Sequence, residues 1–480
     1  MKLILLLWQR EGISIIRNIF QMILLTSIVL LGIYAIYYGN SIITKQQETI
    51  ENVQSIEKNE FENYKKSFTN EHTSVKEKQL FNIASDPAYA WYRHEYHAVL
   101  NPHNLAHISL GQRDIEPYYR KLTAASLYYQ LFENELANPL KLYIGNFDLS
   151  FVLIYLFPLL IIVFTYGLYA EEKENGMLPL LKLQTVGLRK ILLIRISFYY
   201  VLIAGIAFLL SSIGFLIATN VKILTIALWI TAILCYFSFW FTLMFFLVSL
   251  KKNSSLTAIS AAGLWLLFLI VLPAVINVYA NIAYPIDNMS LADITRRKSL
   301  ENEEDINEAK SVIREYLHYR DDLKGAKALI DINTMSKAYA AFTALNDNHH
   351  KKKVVDYFNQ IQLRQKWISL FQWANPAVNT QNILNKITET DAAIFQDFHL
   401  SITNFHKEIT HFYFDRLFLN KQITNNDYKN LPKFNLNTNN SSKIKNIRSS
   451  LIEIISISFF LFGLSFIFFN KTIFTKAFKK

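Results

Sequence analysis

Four histidines, His94, His97, His103 and His107, are the first residues along the chain whose types and spacing could do chemistry. Imidazole nitrogens are good ligands for zinc and copper, and two close pairs loosely match the spacing of metal sites. However, the stretch holds no cysteine, and Pro102 interrupts any single helix that would present both pairs. The sequence therefore favours polar surface histidines, and we expect neither a metal nor a cofactor.

Catalytic constellations are missing from the rest of the sequence. The single cysteine, Cys235, lies inside a long apolar run, so no Cys-His set and no disulfide can form. No spacing places a Ser-His-Asp set. A Gly-x-x-x-x-Gly-Lys-Ser/Thr motif is also absent, which excludes ATP binding through a P-loop. We therefore expect a protein that is not itself an enzyme.

The most informative polar segment is Glu171–Leu183, which follows the second apolar run. It contains three glutamates, then Gly176 at a turn position, then Pro179 and a leucine-rich stretch. Acidic residues near a helix N-terminus complement the helix dipole, and proline is tolerated in a first helical turn. The pattern predicts a short amphipathic helix within residues 171–187, lying parallel to a membrane.

Six long apolar runs position that segment. Each approaches or exceeds the roughly 20 residues that a helix needs to cross the hydrocarbon layer of a bilayer. The runs are Ile19–Tyr38, Leu149–Ala170, Ile196–Ala218, Ile223–Leu250, Leu256–Ala280 and Leu451–Phe469. They do not alternate in polarity as β-barrel strands do, so each is predicted to be a transmembrane helix. Pro158 and Pro273 lie inside two of these spans and are expected to bend them.

The charges between the spans predict the topology. The chain has 49 Lys and Arg against 38 Asp and Glu, a net charge of +11. Most of the excess lies on one side, where 1–18, 171–195, 251–252 and 471–480 hold 14 basic residues against 4 acidic ones. By the positive-inside rule this side is cytoplasmic, with both termini, and no nucleic-acid partner is implied. The location predicted is a bacterial inner membrane.

The predicted fold class is therefore all-α, a polytopic membrane protein with six transmembrane helices and two large, mainly helical extracytoplasmic domains. The predicted organisation is an interfacial helix with the first span in residues 1–38, a first outer domain in 39–148, and spans two to five in 149–280. A second outer domain follows in 281–450, and then the sixth span with a basic tail in 451–480. The stretch before the first span is amphipathic, and a simple extension of that span is the alternative to an interfacial helix.

The segment after span two resembles the first cytoplasmic loop of ABC-2 type transporter permeases, which typically reads Glu-basic-Glu-x-Gly-Thr-Leu. Glu172, Lys173, Glu174, Gly176 and Leu178 fit this pattern, and Met177 replaces the usual threonine. Further runs are similar to the subfamily with large outer domains labelled DUF3526. These runs are Gly111–Asp114, Asn138-Pro139, Phe147-Asp148, Tyr155–Leu159, Trp373–Ala377, Gln381, Asn385 and Thr390-Asp391.

The resemblance implies a function and its partners. In that family the loop is a coupling helix that docks on a separate ABC ATPase subunit. Carried over to this chain, the ATPase-coupling residues are Glu172, Glu174, Gly176, Leu178, Leu180 and Leu181. The partners implied are that ATPase, a second permease (a copy of this chain or a sister subunit) and the lipid bilayer. The function implied is ATP-driven transport, most members of the family being exporters.

Two functions from other classes stay open. The chain could be a membrane-anchored scaffold or sensor whose outer domains bind a ligand or partner without transport. The tyrosine-rich stretch Tyr89–Tyr129 could serve such binding, although packing of a small domain accounts better for so many aromatic residues. An enzyme on the outer face is the third possibility, and no constellation of residues requires it.

Overall fold

The chain folds almost entirely into helices. The structure, a computed structural model, describes residues 2–69, 71, 73–132, 147–179, 187–285, 306–438 and 443–477. The helices are α1 (Lys2–Arg17), α2 (Ile19–Ser67), α3 (Val75–Ser85), α4 (Pro87–Arg93), α5 (Leu127–Phe132), α6 (Leu149–Glu174), α7 (Leu188–Ile217), α8 (Ile223–Ser249), α9 (Ser254–Ala283), α10 (Ile306–Tyr319), α11 (Thr334–Ser369), α12 (Pro376–Ile387), α13 (Ala392–Phe418) and α14 (Lys443–Ala477). The strands are β1 (Tyr96–Val99) and β2 (Tyr119–Leu122), which pair antiparallel.

Six of these helices, α2, α6, α7, α8, α9 and α14, are long and apolar enough to cross a membrane. They coincide with the six apolar runs of the sequence, so the prediction of a multi-pass, helical membrane protein is confirmed. We call the end of the bundle that carries the α6–α7 connection the loop side, and the opposite end the domain side.

The first span is longer than its apolar run. A separate helix, α1, precedes it. Asn18 has extended backbone angles, which end α1, and its side chain caps α2. Helix α1 is therefore not a simple extension of the span. From there α2 continues for 49 residues to Ser67, well past the boundary expected at residue 38. Its charged second half stays helical because Gln46, Ile50 and Tyr64 are buried against the rest of the protein.

The core of the bundle is built around α8. Its aromatic side chains are almost completely buried, including Trp229, Tyr236, Phe237 and Trp240. Phe237 stacks on Phe157 of α6 with ring centroids 5.3 Å apart. Because α8 lies between α6, α7 and α14, it is the helix against which the others pack.

The two long segments between spans share one hydrophobic core on the domain side. Tyr96 and Leu122 from the first segment are buried in the same cluster as Ile313, Phe398 and Phe414 from the second. The residues expected as two outer domains therefore form one unit, which we call the helical body: the second half of α2 with α3–α5, the two strands, α10, α11 and α13. Residues 133–146, 286–305 and 439–442 of the predicted domains lie outside the described residues.

Part of the second segment enters the bundle. Helix α11 ends at Ser369, a short 3₁₀ turn spans Gln372–Ala374, and α12 follows from Pro376. Ala377, Ile383, Leu384 and Ile387 of α12 belong to the core of the bundle, not to that of the helical body. The end of α11, the turn and α12 thus form a hairpin between the spans.

Candidate functional site

The glutamate of the loop that the motif places first, Glu172, points into the protein. Glu172 is 8% exposed, and its Oε1 accepts hydrogen bonds from Arg10 Nη2 at 3.0 Å and from Arg195 Nη1 at 3.1 Å. Arg10 comes from α1 and Arg195 from α7. One carboxylate on α6 therefore joins three helices on the loop side.

A second carboxylate, Glu11 of α1, completes this charge cluster. Arg195 Nε donates to Glu11 Oε1 at 2.7 Å, and the Tyr199 hydroxyl donates to Glu11 Oε2 at 2.6 Å. Arg195 Nη1 also donates to the Leu168 carbonyl at 3.1 Å. Two buried carboxylates thus share one buried guanidinium, an arrangement in which each charge is both paired and hydrogen-bonded. We call Arg10, Glu11, Glu172, Arg195 and Tyr199 the loop-side cluster.

The second glutamate of the motif, Glu174, holds the loop to the fifth span. Its carboxylate accepts hydrogen bonds from the Ser254 backbone N–H at 3.0 Å and from the Ser254 hydroxyl at 2.9 Å. Ser254 is the first residue of α9, whose free N–H groups and helix dipole attract an anion. The end of α6 is thereby fixed to the start of α9.

The loop then turns and presents a small surface. Gly176 has φ +70°, the left-handed conformation that commonly ends a helix, and its N–H bonds the Lys173 carbonyl at 3.2 Å. Leu178 is buried in the core of the bundle, whereas Met177 and Pro179 are exposed. Leu180 and Leu181, two of the expected coupling residues, lie outside the described residues.

Three of the coupling residues predicted from the sequence, Glu172, Glu174 and Leu178, attach the loop to its own protein. The exposed apolar side chains beside them are Met177 and Pro179. Sequence reasoning did not identify Arg10, Glu11, Arg195, Tyr199 or Ser254 as members of this site. For the three charged ones the only signal was a charge at the edge of an apolar run, and even Arg195 lies 23 residues from its partner Glu172.

On the domain side, polar side chains bind the backbone of the kinked spans. Pro158 lacks the N–H that would bond the Ile154 carbonyl, and a π-helical turn, Val152–Leu156, precedes it. The Tyr236 hydroxyl donates to the Ile154 carbonyl at 2.8 Å, and Trp265 Nε1 donates to the Tyr155 carbonyl at 3.0 Å. The freed acceptors of this kink thus find donors on α8 and α9.

The kink in the fifth span is bonded from the hairpin. Here a π-helical turn, Leu267–Val271, precedes Pro273. Asn375 Nδ2 donates to the Phe268 carbonyl at 2.7 Å, while Asn375 Oδ1 accepts from Ala377 N at 3.1 Å and so caps α12. A single asparagine, fully buried, therefore begins α12 and satisfies the kink of α9.

Three further amides of α12 bind the ends of two spans and the loop that contains Ser109. Asn379 Nδ2 donates to Glu453 Oε2 of α14 at 2.9 Å, and Gln381 Nε2 donates to Ser150 Oγ of α6 at 3.1 Å. Asn385 Oδ1 accepts from the Ser109 hydroxyl at 2.7 Å. We call Asn375, Asn379, Gln381 and Asn385 the hairpin amides.

Several runs singled out by the resemblance meet at this place. Asp148 Oδ2 accepts from Leu110 N at 2.7 Å, which ties the start of α6 to the loop before Gly111. Gly111 has φ +53° and lies so close to the Thr390 carbonyl that a Cβ would collide with it. Gln112 N donates to that same carbonyl at 2.8 Å. Residues far apart in sequence thus converge on the junction between the helical body and the bundle.

The four histidines do not converge. His94 is buried, with Nδ1 2.7 Å from the Tyr413 hydroxyl and its ring stacked on Tyr64, and burial lowers its pKa to about 3. His97 lies 3.2 Å from Glu57, and His107 Nε2 donates to the Gly214 carbonyl of α7 at 2.9 Å. His94 and His107 are therefore packing residues of the interior, not the surface histidines that we expected.

Within the described ranges, the side chains close enough to share a metal ion are Asp322, His411 and Asp415. Arg320 already lies among them, with Nη2 2.6 Å from Asp322 Oδ2 and 2.5 Å from Asp415 Oδ1. The guanidinium lies where a metal cation would bind and pairs with both carboxylates. The group is therefore an ion-pair network that joins the segment after α10 to α13.

The tyrosine-rich stretch is partly packing and partly surface. Tyr96 and Tyr128 are buried in the core of the helical body, as expected for packing residues. Tyr89 and Tyr92 instead line an open cleft of about 980 Å³, together with Trp91, Tyr339 and Met335. A salt bridge between Lys310 and Asp331 lies on the same cleft. The helical body therefore presents one aromatic concavity large enough for a small ligand.

Comparison with known proteins gives one match. Residues 332–437 match the family described as "Domain of unknown function (DUF3526)". The matched residues cover all of α11, α12 and α13, and the chain that follows α13. No curated protein and no solved structure matches the chain.

Proposed function

We propose that the chain is the permease subunit of an ABC-2 type transporter, driven by a separate ABC ATPase that docks at the loop side. The loop side is then cytoplasmic, and the helical body lies outside the cell membrane, in the periplasm of a bacterium. The observation that carries the proposal is the attachment of the α6–α7 loop to α1, α7 and α9 through Glu172 and Glu174.

A loop fixed in this way can transmit force. A displacement of the loop moves α6, α7 and α9 together, because buried ion pairs and hydrogen bonds resist separation of the helices. Met177 and Pro179 are exposed beside these attachments and form the described part of the docking surface. Two ATPases closing on ATP would push two such loops, and the attached spans would tilt and open a path between two permeases.

The test is co-purification from native membranes in mild detergent with a C-terminally tagged chain. Met177→Asp changes an exposed side chain and is expected to abolish binding of an ABC ATPase, while the same change at exposed Val75, in α3 on the domain side, leaves it intact. Gly176→Pro, which cannot adopt φ +70°, should also abolish it. If no ATPase co-purifies with the parent chain, or if Met177→Asp retains it fully, the proposal is wrong.

A second candidate function is favoured by the aromatic cleft. A scaffold or sensor would use Tyr89, Tyr92 and Tyr339 to bind a ligand or partner. It would not need an α6–α7 loop that is hydrogen-bonded to neighbouring helices. Changing Tyr89 and Tyr92 to serine distinguishes the two functions. A sensor would lose binding of its ligand or partner, and no ABC ATPase would co-purify with either the parent or the variant. A permease would still bind its separate ATPase subunit in that variant, and the complex would still hydrolyse ATP.

A further inference from the structure

The tip of the hairpin carries exposed apolar side chains. Leu370 is 65% exposed and Trp373 58%, and Phe371 lies exposed between them. Leu363, about two helical turns earlier on α11, is exposed as well. Exposed groups of this size are unfavourable in water, so the level of the tip relative to the membrane decides what covers them.

Two hydrogen bonds to α9 fix that level. Arg364 of α11 donates to the Asn277 side chain, and Asn375 at the start of α12 donates to the Phe268 carbonyl. Asn277 and Phe268 are nine residues apart on α9, or about 13 Å at 1.5 Å per residue. Between Arg364 and Asn375 the chain therefore descends by about that distance along the fifth span.

The descent begins at the edge of the hydrocarbon layer. The apolar part of α9 starts at Leu256 on the loop side, close to the bond between Glu174 and Ser254. A layer of about 30 Å takes roughly 20 residues, which places its far edge near Asn277. Phe268 then lies about 13 Å inside the layer, and Leu370, Phe371 and Trp373 lie between the two levels.

From this geometry we propose that residues 364–375 dip into the lipid leaflet on the domain side, where Leu370, Phe371 and Trp373 contact phospholipid acyl chains. The backbone can lie there because four of the N–H groups of residues 370–375 are hydrogen-bonded within the turn. Those of Leu370, Phe371, Ala374 and Asn375 bond the carbonyls of Trp367, Ile368, Phe371 and Gln372. Arg364 and Lys366 remain at the edge, where cationic side chains reach the phosphate headgroups.

The size of the side chains favours lipid over a second copy of the chain. Close helix–helix contacts in membranes use small residues, which let backbones approach. Around the tip most exposed apolar residues are large, with Ile270, Val275 and Val278 on α9 beside the three of the hairpin, against one exposed alanine, Ala274. Tyr279, 60% exposed near the edge, adds an aromatic ring where interfacial aromatic belts occur. The matched family domain is thereby a membrane-inserted element and not only part of the helical body.

The test is the depth of spin labels in the full chain, reconstituted in phosphatidylcholine vesicles. Single cysteines replace Leu370 or Trp373 on a Cys235→Ser background. Ile270 serves as the lipid-exposed reference, and Ile56 on the second half of α2 as the water-exposed reference. The labels at 370 and 373 should be accessible to oxygen and protected from a water-soluble nickel complex, with a ratio close to that at 270.

Two results would overturn the proposal. Labels as accessible to nickel as the one at 56 would put the tip in water, and labels shielded from both reagents would mean that protein covers it. A second measurement does not depend on labelling: Trp373→Phe should remove a fraction of the tryptophan fluorescence that brominated phosphatidylcholine quenches in the parent. If the quenched fraction is unchanged, Trp373 does not contact lipid.

Discussion

The two ends of the bundle are joined to the rest of the chain by different chemistry. On the loop side, the cluster consists of two arginines, two glutamates and a tyrosine, with charge-assisted hydrogen bonds of 2.6–3.1 Å. On the domain side, the hairpin amides of α12 bind carbonyls, hydroxyls and one carboxylate inside the bundle. One junction is mainly ionic, and the other is mainly neutral.

The difference follows from depth. Arg10 of the loop-side cluster is half exposed, so its charges lie where water and headgroups begin. Asn375 lies about 13 Å below the membrane edge by the rise along α9, where an unpaired charge would be far more costly than an amide. Neutral donors can still satisfy the carbonyls at the two kinks: the Tyr236 hydroxyl and the Trp265 indole near Pro158, and the Asn375 amide near Pro273. Ionic contacts therefore fix the loop, and neutral side chains stabilise the kinks.

The largest effect is expected from Arg195→Met. It leaves Glu11 and Glu172 buried without their shared guanidinium, which should cost about 3–5 kcal/mol of stability. Lys190→Met, in the same helix but exposed, should be close to neutral. The measurement is thermal unfolding in detergent, followed by tryptophan fluorescence. Equal melting temperatures for the two variants would show that the loop-side cluster does not fix the loop.

A graded loss is expected at Asn375. Asn375→Ala removes the cap of α12 and the donor to the Phe268 carbonyl, for a loss of about 2–3 kcal/mol. Asn375→Ser keeps a capping oxygen but is too short to reach Phe268, so it should fall between alanine and the parent. Gln372→Ala, in the preceding turn, is the control. Unfolding that is the same for serine and alanine would assign the whole effect to the bond with Phe268.

Acid should weaken the helical body through its buried histidines. Burial lowers the pKa of His94 to about 3 and that of His406 to about 4, so the unfolded chain binds protons that the folded chain does not. Stability then falls as the pH drops from about 6.5 towards 4, by about 1.4 kcal/mol per pH unit for each histidine. His94→Phe should remove about 2 kcal/mol of the loss in unfolding free energy at pH 5, so its melting temperature should fall less between pH 7 and 5 than that of the parent.

The control for this acid effect is His318→Phe, since that residue is exposed on α10 of the same body. It should leave the pH dependence as it is in the parent. A parent whose melting temperature does not change between pH 7 and 5 would contradict the buried, neutral state of His94.

The smallest effect is expected at the turn of the loop. Gly176→Ala places a Cβ at φ +70° with no neighbouring atom within 4 Å, so the cost is backbone strain alone, about 1 kcal/mol. Gly176→Asn should cost less, because asparagine tolerates this conformation. Thermal unfolding of both variants measures the difference. Losses well above 1 kcal/mol would mean that the turn packs against something outside the described residues.

The sequence predicts the six spans well, because an apolar run of about 20 residues rarely forms anything but a transmembrane helix. It does not predict the hairpin, since α12 has only 12 residues and carries Asn379, Gln381 and Asn385 among its apolar positions. Nor does it predict that Glu172 points inward. Its partner Arg10 is 162 residues away, and only the packing of α1 against the bundle brings the two together.

Covalent capture at the loop tests the coupling of this chain to an ATPase most directly. A photoreactive benzoylphenylalanine replaces Met177 in one variant and Val75 in another, and both are irradiated in native membranes that hydrolyse ATP. We expect an adduct with an ABC ATPase at position 177 and none at position 75, identified by mass spectrometry. An irradiated membrane in which position 177 captures no ATPase, or in which position 75 captures it equally, would contradict a permease coupled through this loop.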